Sequence, residues 1–209
     1  MSNISYFAIR TLSLQKIKEF FFEFQHTIVS PIISNIIFII ILSTISHYYG
    51  LKVNNISYIE FLVPGIILMT VMQVSYSNIS ESLIHMKQIG CFNDYLVSPM
   101  SRTEILISLV GASTFIGIFI GIINIFLIKL FINFDFINYL VVIYYLFLIS
   151  LIFSSLGAIT GFVSFTWDFQ QSIYSFFIVP LSFFSGTFFS IETLSSKWSI
   201  FLMYNPFYQ

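Results

Sequence analysis

The chain has 209 residues, of which 57% are hydrophobic, 20% aromatic and only 8% charged, with a mean hydropathy of +0.94. A soluble domain carries about 25% charged residues, so this composition excludes a water-soluble globular protein and points to an integral membrane chain. The net charge of −1 offers no basic surface to nucleic acid, and the single cysteine, Cys91, excludes an internal disulfide or a cysteine metal cluster.

Residues 5–25 predict a helix lying on the membrane surface. Leu14, Ile17, Phe21 and Phe24 recur at spacings of three and four, while Lys16, Glu19 and Glu23 share another face. Such a helix sinks its aromatic side into the headgroup boundary. Charge-poor runs then predict five transmembrane helices, over 27–46, 58–80, 105–130, 136–165 and 171–189. The expected fold is therefore all-α: a polytopic helical bundle in one transmembrane domain, with an N-terminal interfacial amphipathic helix. Pro31 falls near the start of the first span, where a proline disturbs the hydrogen-bond ladder least.

The far half of the second span carries Gln73, Ser75, Tyr76, Ser77 and Asn78. Polar side chains at that depth face other helices or a cavity rather than lipid. Gln73, Tyr76, Asn78 and, in the third span, Asn124 are candidates for lining a cavity, with interhelical hydrogen bonding as the competing explanation. Gly117 and Gly121, and again Gly157 and Gly161, stand at GxxxG spacing. Close packing within the chain is the commoner use of that spacing, and a dimer interface the alternative.

Between the second and third spans, residues 81–104 form a polar island containing Glu81, Lys87, Asp94, Arg102 and Glu104. Charges near a bilayer centre cost several kcal/mol each, so this stretch belongs in water, as a docking loop. Within it Ile89, Phe92 and Leu96 recur beside Gly90, predicting a short amphipathic helix closed by Ser98 and Pro99. With the N-terminus inside, Arg10, Lys16, Lys18, Lys87 and Arg102 are cytoplasmic, against Lys52, Lys129 and Lys197 outside, in keeping with the positive-inside rule. Residues 190–209 then form an external segment.

The chemistry permitted is narrow. There is no GxxxxGK[ST] loop for a triphosphate and no HExxH or paired Cys/His spacing for a metal. His26, His47 and His85 fall near span boundaries. Away from their ends the spans lack the ionisable relays of proton-driven carriers, so energy for any transport is expected from outside the bilayer, with sodium coupling through backbone carbonyls and hydroxyls as the alternative.

Four stretches strongly resemble the ABC-2 type permeases, the membrane subunits of bacterial ABC exporters for drugs, polysaccharides and lipid-linked glycans. They are FLVPGIILM at 61–69, LVSPMSRTEIL at 96–106, FFSGTFFSIETL at 183–194 and NPF at 205–207. The resemblance implies a non-catalytic inner-membrane subunit working with a second permease copy, membrane lipids and two ABC ATPase subunits, which hold the ATP and magnesium; this chain would bind no cofactor or metal itself. It also implies a cytoplasmic coupling helix at 87–97, so that Lys87, Ile89, Gly90, Phe92, Tyr95, Leu96, Pro99 and Arg102 meet the ATPase. The family has a sixth span after NPF, where this sequence ends, so that helix is expected to be missing. A stand-alone carrier or channel, and a truncated non-transporting remnant, are the alternatives.

Overall fold

In lipid every backbone N–H must find its acceptor within the same segment or a closed sheet, so the long apolar runs are driven into helix. The computed structural model describes residues 5–23, 25–50, 52–53, 56–131 and 138–183. The chain begins with α1 (Tyr6–Phe22), a π-helical turn (Gln25–Val29) and α2 (Ser30–Tyr49). Two-residue antiparallel strands, β1 (Lys52–Val53) and β2 (Ile56–Ser57), lead into α3 (Tyr58–Ile89). There follow α4 (Phe92–Val97), α5 (Arg102–Phe131), α6 (Tyr139–Val163) and α7 (Trp167–Ile173). A second π-helical turn (Tyr174–Ile178) and α8 (Val179–Phe183) complete the described chain.

Among the described residues, four helices are long and apolar enough to cross a membrane: Thr27–Tyr49, Tyr58–Ile89, Arg102–Phe131 and Tyr139–Val163. The fifth predicted span, 171–189, starts earlier than expected, at Trp167, and is broken by the π turn. Its residues after Phe183 and the predicted external segment 190–209 lie outside the described residues, as does the start of the predicted span at 136. Both π turns end just before a proline, Pro31 or Pro180. Proline has no N–H for the carbonyl four residues back, and the backbone widens there.

The boundary at Ser80 and the docking loop are corrected. The 32 residues of α3 reach about 48 Å at 1.5 Å per residue, longer than the ~30 Å hydrocarbon core. Glu81–Ile89 is thus a continuation of the helix beyond the apolar slab, because water-facing polar residues do not by themselves end a helix. Gly90 ends it, at a left-handed φ of 86° that favours glycine.

The bundle is organised around α3, which packs against α5 and α6, themselves in contact with each other. Near one end Leu62, Ile66 and Val71 of α3 meet Ile39 of α2, Ile128 of α5 and Leu146 of α6. At the other end Ile79, Leu83 and Met86 meet Ile105 and Leu109 of α5, Ala158 of α6 and Leu12 of α1. The glycine pairs are spent on this packing. A Cβ at Gly157 would lie 2.5 Å from the Tyr76 carbonyl oxygen, and one at Gly161 would lie 3.0 Å from the Ser80 Cα. On α5, a Cβ at Gly121 would lie 2.9 Å from Val71, and one at Gly117 would overlap the hydroxyls of Ser75 and Ser150.

The stripe read on the first helix is joined by a second one, which meets the bundle. α1 lies along α5 and buries Leu12 and Phe20, whereas Leu14 and Phe21 are 45% and 42% exposed. Phe24 lies outside the described residues. A helix flanked by both lipid and protein carries two apolar stripes, and periodicity alone does not tell which one meets the protein. Lys16 and Glu19 do share a face, paired at 2.6 Å.

Candidate functional site

The end of the bundle where α3 leaves the apolar slab gathers most of the predicted coupling residues. Gly90 turns the chain, with its N–H on the Lys87 carbonyl, and α4 starts two residues later. At its far end the Ser98 N–H returns to Asp94 O at 3.0 Å. α5 then opens with a capping box: Glu104 N–H reaches Ser101 Oγ at 3.3 Å, and Ser101 N–H reaches Glu104 Oε2 at 2.6 Å. Short turns on either side hold α4 between α3 and α5.

α4 has an inner and an outer side. Phe92 and Tyr95 pack inward on the cluster of Leu83, Met86, Ile105 and Leu109. Phe92 also meets Phe162 of α6 edge to face, at 6.2 Å between centroids. Burial, followed by the charge of Glu19 and the neighbouring Cys91, holds the Tyr95 phenol above its ordinary pKa, so it stays a neutral hydroxyl. Outward, Asn93, Asp94, Pro99 and Arg102 are exposed, together with the apolar Ile89 and Val97. Leu96 is in the helix, and its side chain lies outside the described residues.

Ile89, Phe92 and Leu96 therefore do not make one stripe. Ile89 belongs to the last turn of α3, and Phe92 faces the bundle rather than water. Val97, 86% exposed, is the outward apolar residue that the pattern missed. Its place five residues after Phe92, on the opposite side of a helical wheel, was the available signal.

Lys87 is occupied. Its Nζ donates to the carbonyls of Gly161 at 2.8 Å, Phe162 at 2.6 Å and Ser164 at 2.9 Å, where α6 ends. The last carbonyls of a helix lack intrahelical donors and carry the negative end of its dipole, so a cation there is doubly favoured. The ammonium also lies over the rings of Phe92 and Phe165, at 5.9 and 5.1 Å. Next to it, Trp167 Nε1 donates to Gln88 Oε1. A cavity of about 400 Å³ opens here, lined by Lys87, Gly90, Phe92, Asn93, Phe162 and Phe165. Phe165, in the turn after α6, and Trp167, the first residue of α7, are not among the site residues expected from sequence.

The candidate cavity residues are dispersed. Asn78 lines a second cavity of about 400 Å³ between α1, α3 and Trp167, where Glu23, Glu81, Phe20 and His85 also lie, and its Oδ1 accepts from Ser113 Oγ at 2.9 Å. Tyr76 is fully buried and stacked on Tyr174 at 5.9 Å. Asn124 is 1% exposed, accepting from Asn35 at 2.9 Å and donating to Ile120 O. Gln73 donates to Ser182 Oγ at 3.3 Å. Interhelical bonding accounts for Gln73 and Asn124 where they stand. Among the described residues no group of three or more His, Cys, Asp or Glu side chains is placed to hold a metal.

Comparison with known proteins agrees with this architecture. A profile described as the ABC-2 type transporter matches residues 8–209. The inner membrane transport permease YadH of Escherichia coli K12 is 26% identical over 206 residues, covering 99% of this chain and 80% of the relative. The YadH proteins of Escherichia coli O157:H7 and Shigella flexneri match equally. No solved structure matches.

Proposed function

The chain belongs to the ABC-2 type transporter family as a membrane permease, and on that premise we propose that it is the non-catalytic subunit of an ATP-driven exporter. Two copies line the path of a drug, lipid or polysaccharide-type substrate across a bacterial inner membrane. A separate ABC ATPase holds ATP and magnesium and docks on the cytoplasmic face, which in this reading is the end carrying α4 and the N-terminus. Asn78, which lines the cavity between α1 and α3, is the candidate polar side chain of α3 best placed to meet substrate.

The observation that carries this reading is α4 itself. It is a six-residue helix seated on the bundle through Phe92 and Tyr95, and it leaves Asp94 and Val97 exposed, flanked by the exposed Ile89 at the end of α3 and Arg102 at the start of α5. A short helix with exposed apolar residues on it and beside it suits a protein partner, since buried apolar anchors dominate such interfaces. The polar groups packed within the spans support the same view. Asn35, Thr70, Ser75, Asn124 and Ser150 pair with one another or with backbone, and none is a proton carrier.

The test is co-expression with an ABC ATPase encoded beside this chain, followed by purification in mild detergent. The ATPase is expected to co-purify in stoichiometric amount and to be lost with Val97→Asp or Ile89→Asp. A chain that inserts and purifies without it would overturn the reading in favour of a stand-alone carrier or a non-transporting remnant.

A further inference from the structure

Three elements converge on one ammonium group. Lys87 stands on the last turn of α3, beneath the Phe92 ring of α4, and its three hydrogen bonds all end on the closing carbonyls of α6. Those acceptors lie 74, 75 and 77 residues away in sequence. We propose that Lys87 is a positioning residue that makes α4 and the α6–α7 turn one lever, so that force applied at α4 is passed to α6. For its mechanical role the inference rests on the permease reading above.

The argument is one of connectivity and strength. The covalent link from α3 to α4 is the short Gly90–Cys91 turn, and glycine at φ 86° is a place where a chain pivots easily. Against that pivot stand the packing of Phe92 and Tyr95 on the bundle, the Phe92–Phe162 contact and the Lys87 ammonium against the Phe92 ring, while the Lys87 hydrogen bonds tie the same ammonium to α6. Hydrogen bonds from an ionised donor are roughly twice as strong as neutral ones, and these three point into one helix end. A helix is stiff along its axis, so a displacement taken up at its C-terminal carbonyls moves the whole of α6 rather than fraying a loop. α6 in turn is keyed into α3 by Gly157 and Gly161. The Gln88–Trp167 bond extends the same tie to the first residue of α7.

A helix cap with only a structural role would stabilise the end of α6 and leave motion elsewhere unaffected, so the two roles separate experimentally. The native Cys91 is exposed at the start of α4, and Val163 is exposed at the end of α6. Spin labels on Cys91 and on Val163→Cys, in the permease alone in nanodiscs, are expected to give one narrow distance distribution. Lys87→Met, which keeps the stem and removes the donors, is expected to broaden it, and Lys87→Arg to restore it. Should Lys87→Met not insert, Lys87→Gln, which retains two N–H donors without the charge, decides the same point by widening the distribution. A distribution as narrow as that of the unsubstituted chain would overturn the proposal.

The second arm uses the permease–ATPase complex in a Cys91→Ser background, labelled at Val163→Cys and Ile107→Cys. Addition of a non-hydrolysable ATP analogue is expected to shift the distance from α6 to α5, and Lys87→Met to abolish that shift while the ATPase still co-purifies. An unchanged shift in Lys87→Met would refute the lever. If the unsubstituted chain binds no ATPase, the exporter reading fails and takes the coupling role with it. The distance measured in the permease alone still reports whether Lys87 fixes α4 to α6.

Discussion

Ser5 donates its backbone N–H to Glu104 Oε1 at 2.6 Å, across 99 residues of sequence. The other oxygen of the same carboxylate holds the Ser101 N–H at 2.6 Å, so one buried side chain caps the amino ends of α1 and α5 together. Both helices present unpaired N–H groups and positive dipole ends there, which a carboxylate satisfies at once. A bond from Ser13 Oγ to Ser108 O at 3.1 Å continues the tie between them. Glu104→Ala is expected to speed hydrogen exchange in the first turn of α1, and Glu104→Gln, which keeps one acceptor, to do so less. Equal exchange in all three proteins would show that α1 is held by its apolar face alone.

The glycines of α5 and α6 give a sharper contrast. Gly157 meets the backbone of α3 where a methyl group would go, whereas nothing lies within 4 Å of the corresponding position at Gly111. Gly157→Ala should lower unfolding stability by about 1–3 kcal/mol, the usual cost of overpacking, and Gly111→Ala should be tolerated. Neither should change the oligomeric state, because the small face of Gly157 is already used within the chain. A Gly157→Ala protein that kept its stability and lost its dimer would reverse that assignment. Denaturant titration with size-exclusion chromatography reads both quantities.

The parts of this molecule legible in the sequence are those that a bilayer dictates locally. Apolar runs became helices, and the Ser98 stop and Gly90 turn stand where local chemistry puts them. The Ser101–Glu104 box was readable too, as a serine followed three residues later by a glutamate. What the sequence hid depends on distant partners. Lys87 resembles a solvent-facing charge until the end of α6 is brought beside it, and Phe92 resembles an outward anchor until Phe162 arrives. Periodicity placed Leu14 and Phe21 on a common face, but only tertiary packing reveals that Leu12 and Phe20 meet the bundle. The end of α3 was misplaced for a related reason: hydropathy marks where lipid stops, and a helix need not stop there.

α2 is the most loosely held of the long helices, and Asn35 is its polar clip. Its Nδ2 donates to Thr70 Oγ1 of α3 at 2.6 Å and to Asn124 Oδ1 of α5 at 2.9 Å. Interhelical hydrogen bonds in membranes are worth about 0.6 kcal/mol on average and up to ~1.7. A double-mutant cycle of Asn35→Ala and Asn124→Ala is therefore expected to show coupling of about that size. Strictly additive single substitutions would mean that apolar contacts with Ile39 and its neighbours hold α2 without the clip.

The two sides of α4 predict different phenotypes for equally drastic substitutions. Val97 is 86% exposed, so Val97→Asp should leave stability within about 0.5 kcal/mol and act only on partner binding. Phe92 is held against Phe162 and against the Lys87 ammonium, and an aromatic pair of this kind contributes about 0.5–1.5 kcal/mol beyond its burial. Phe92→Asp should therefore weaken ATPase association and also loosen α4, seen as faster hydrogen exchange of Asn93–Val97. Phe92→Leu should retain most of the association, because it keeps an apolar body in the same seat. If Phe92→Asp abolished binding with α4 exchanging as slowly as before, Phe92 would be a direct anchor for the partner. If Val97→Asp bound the ATPase normally while Phe92→Asp did not, the docking face would lie on the α6–α7 side of the cavity, around Phe165, rather than on the outer side of α4.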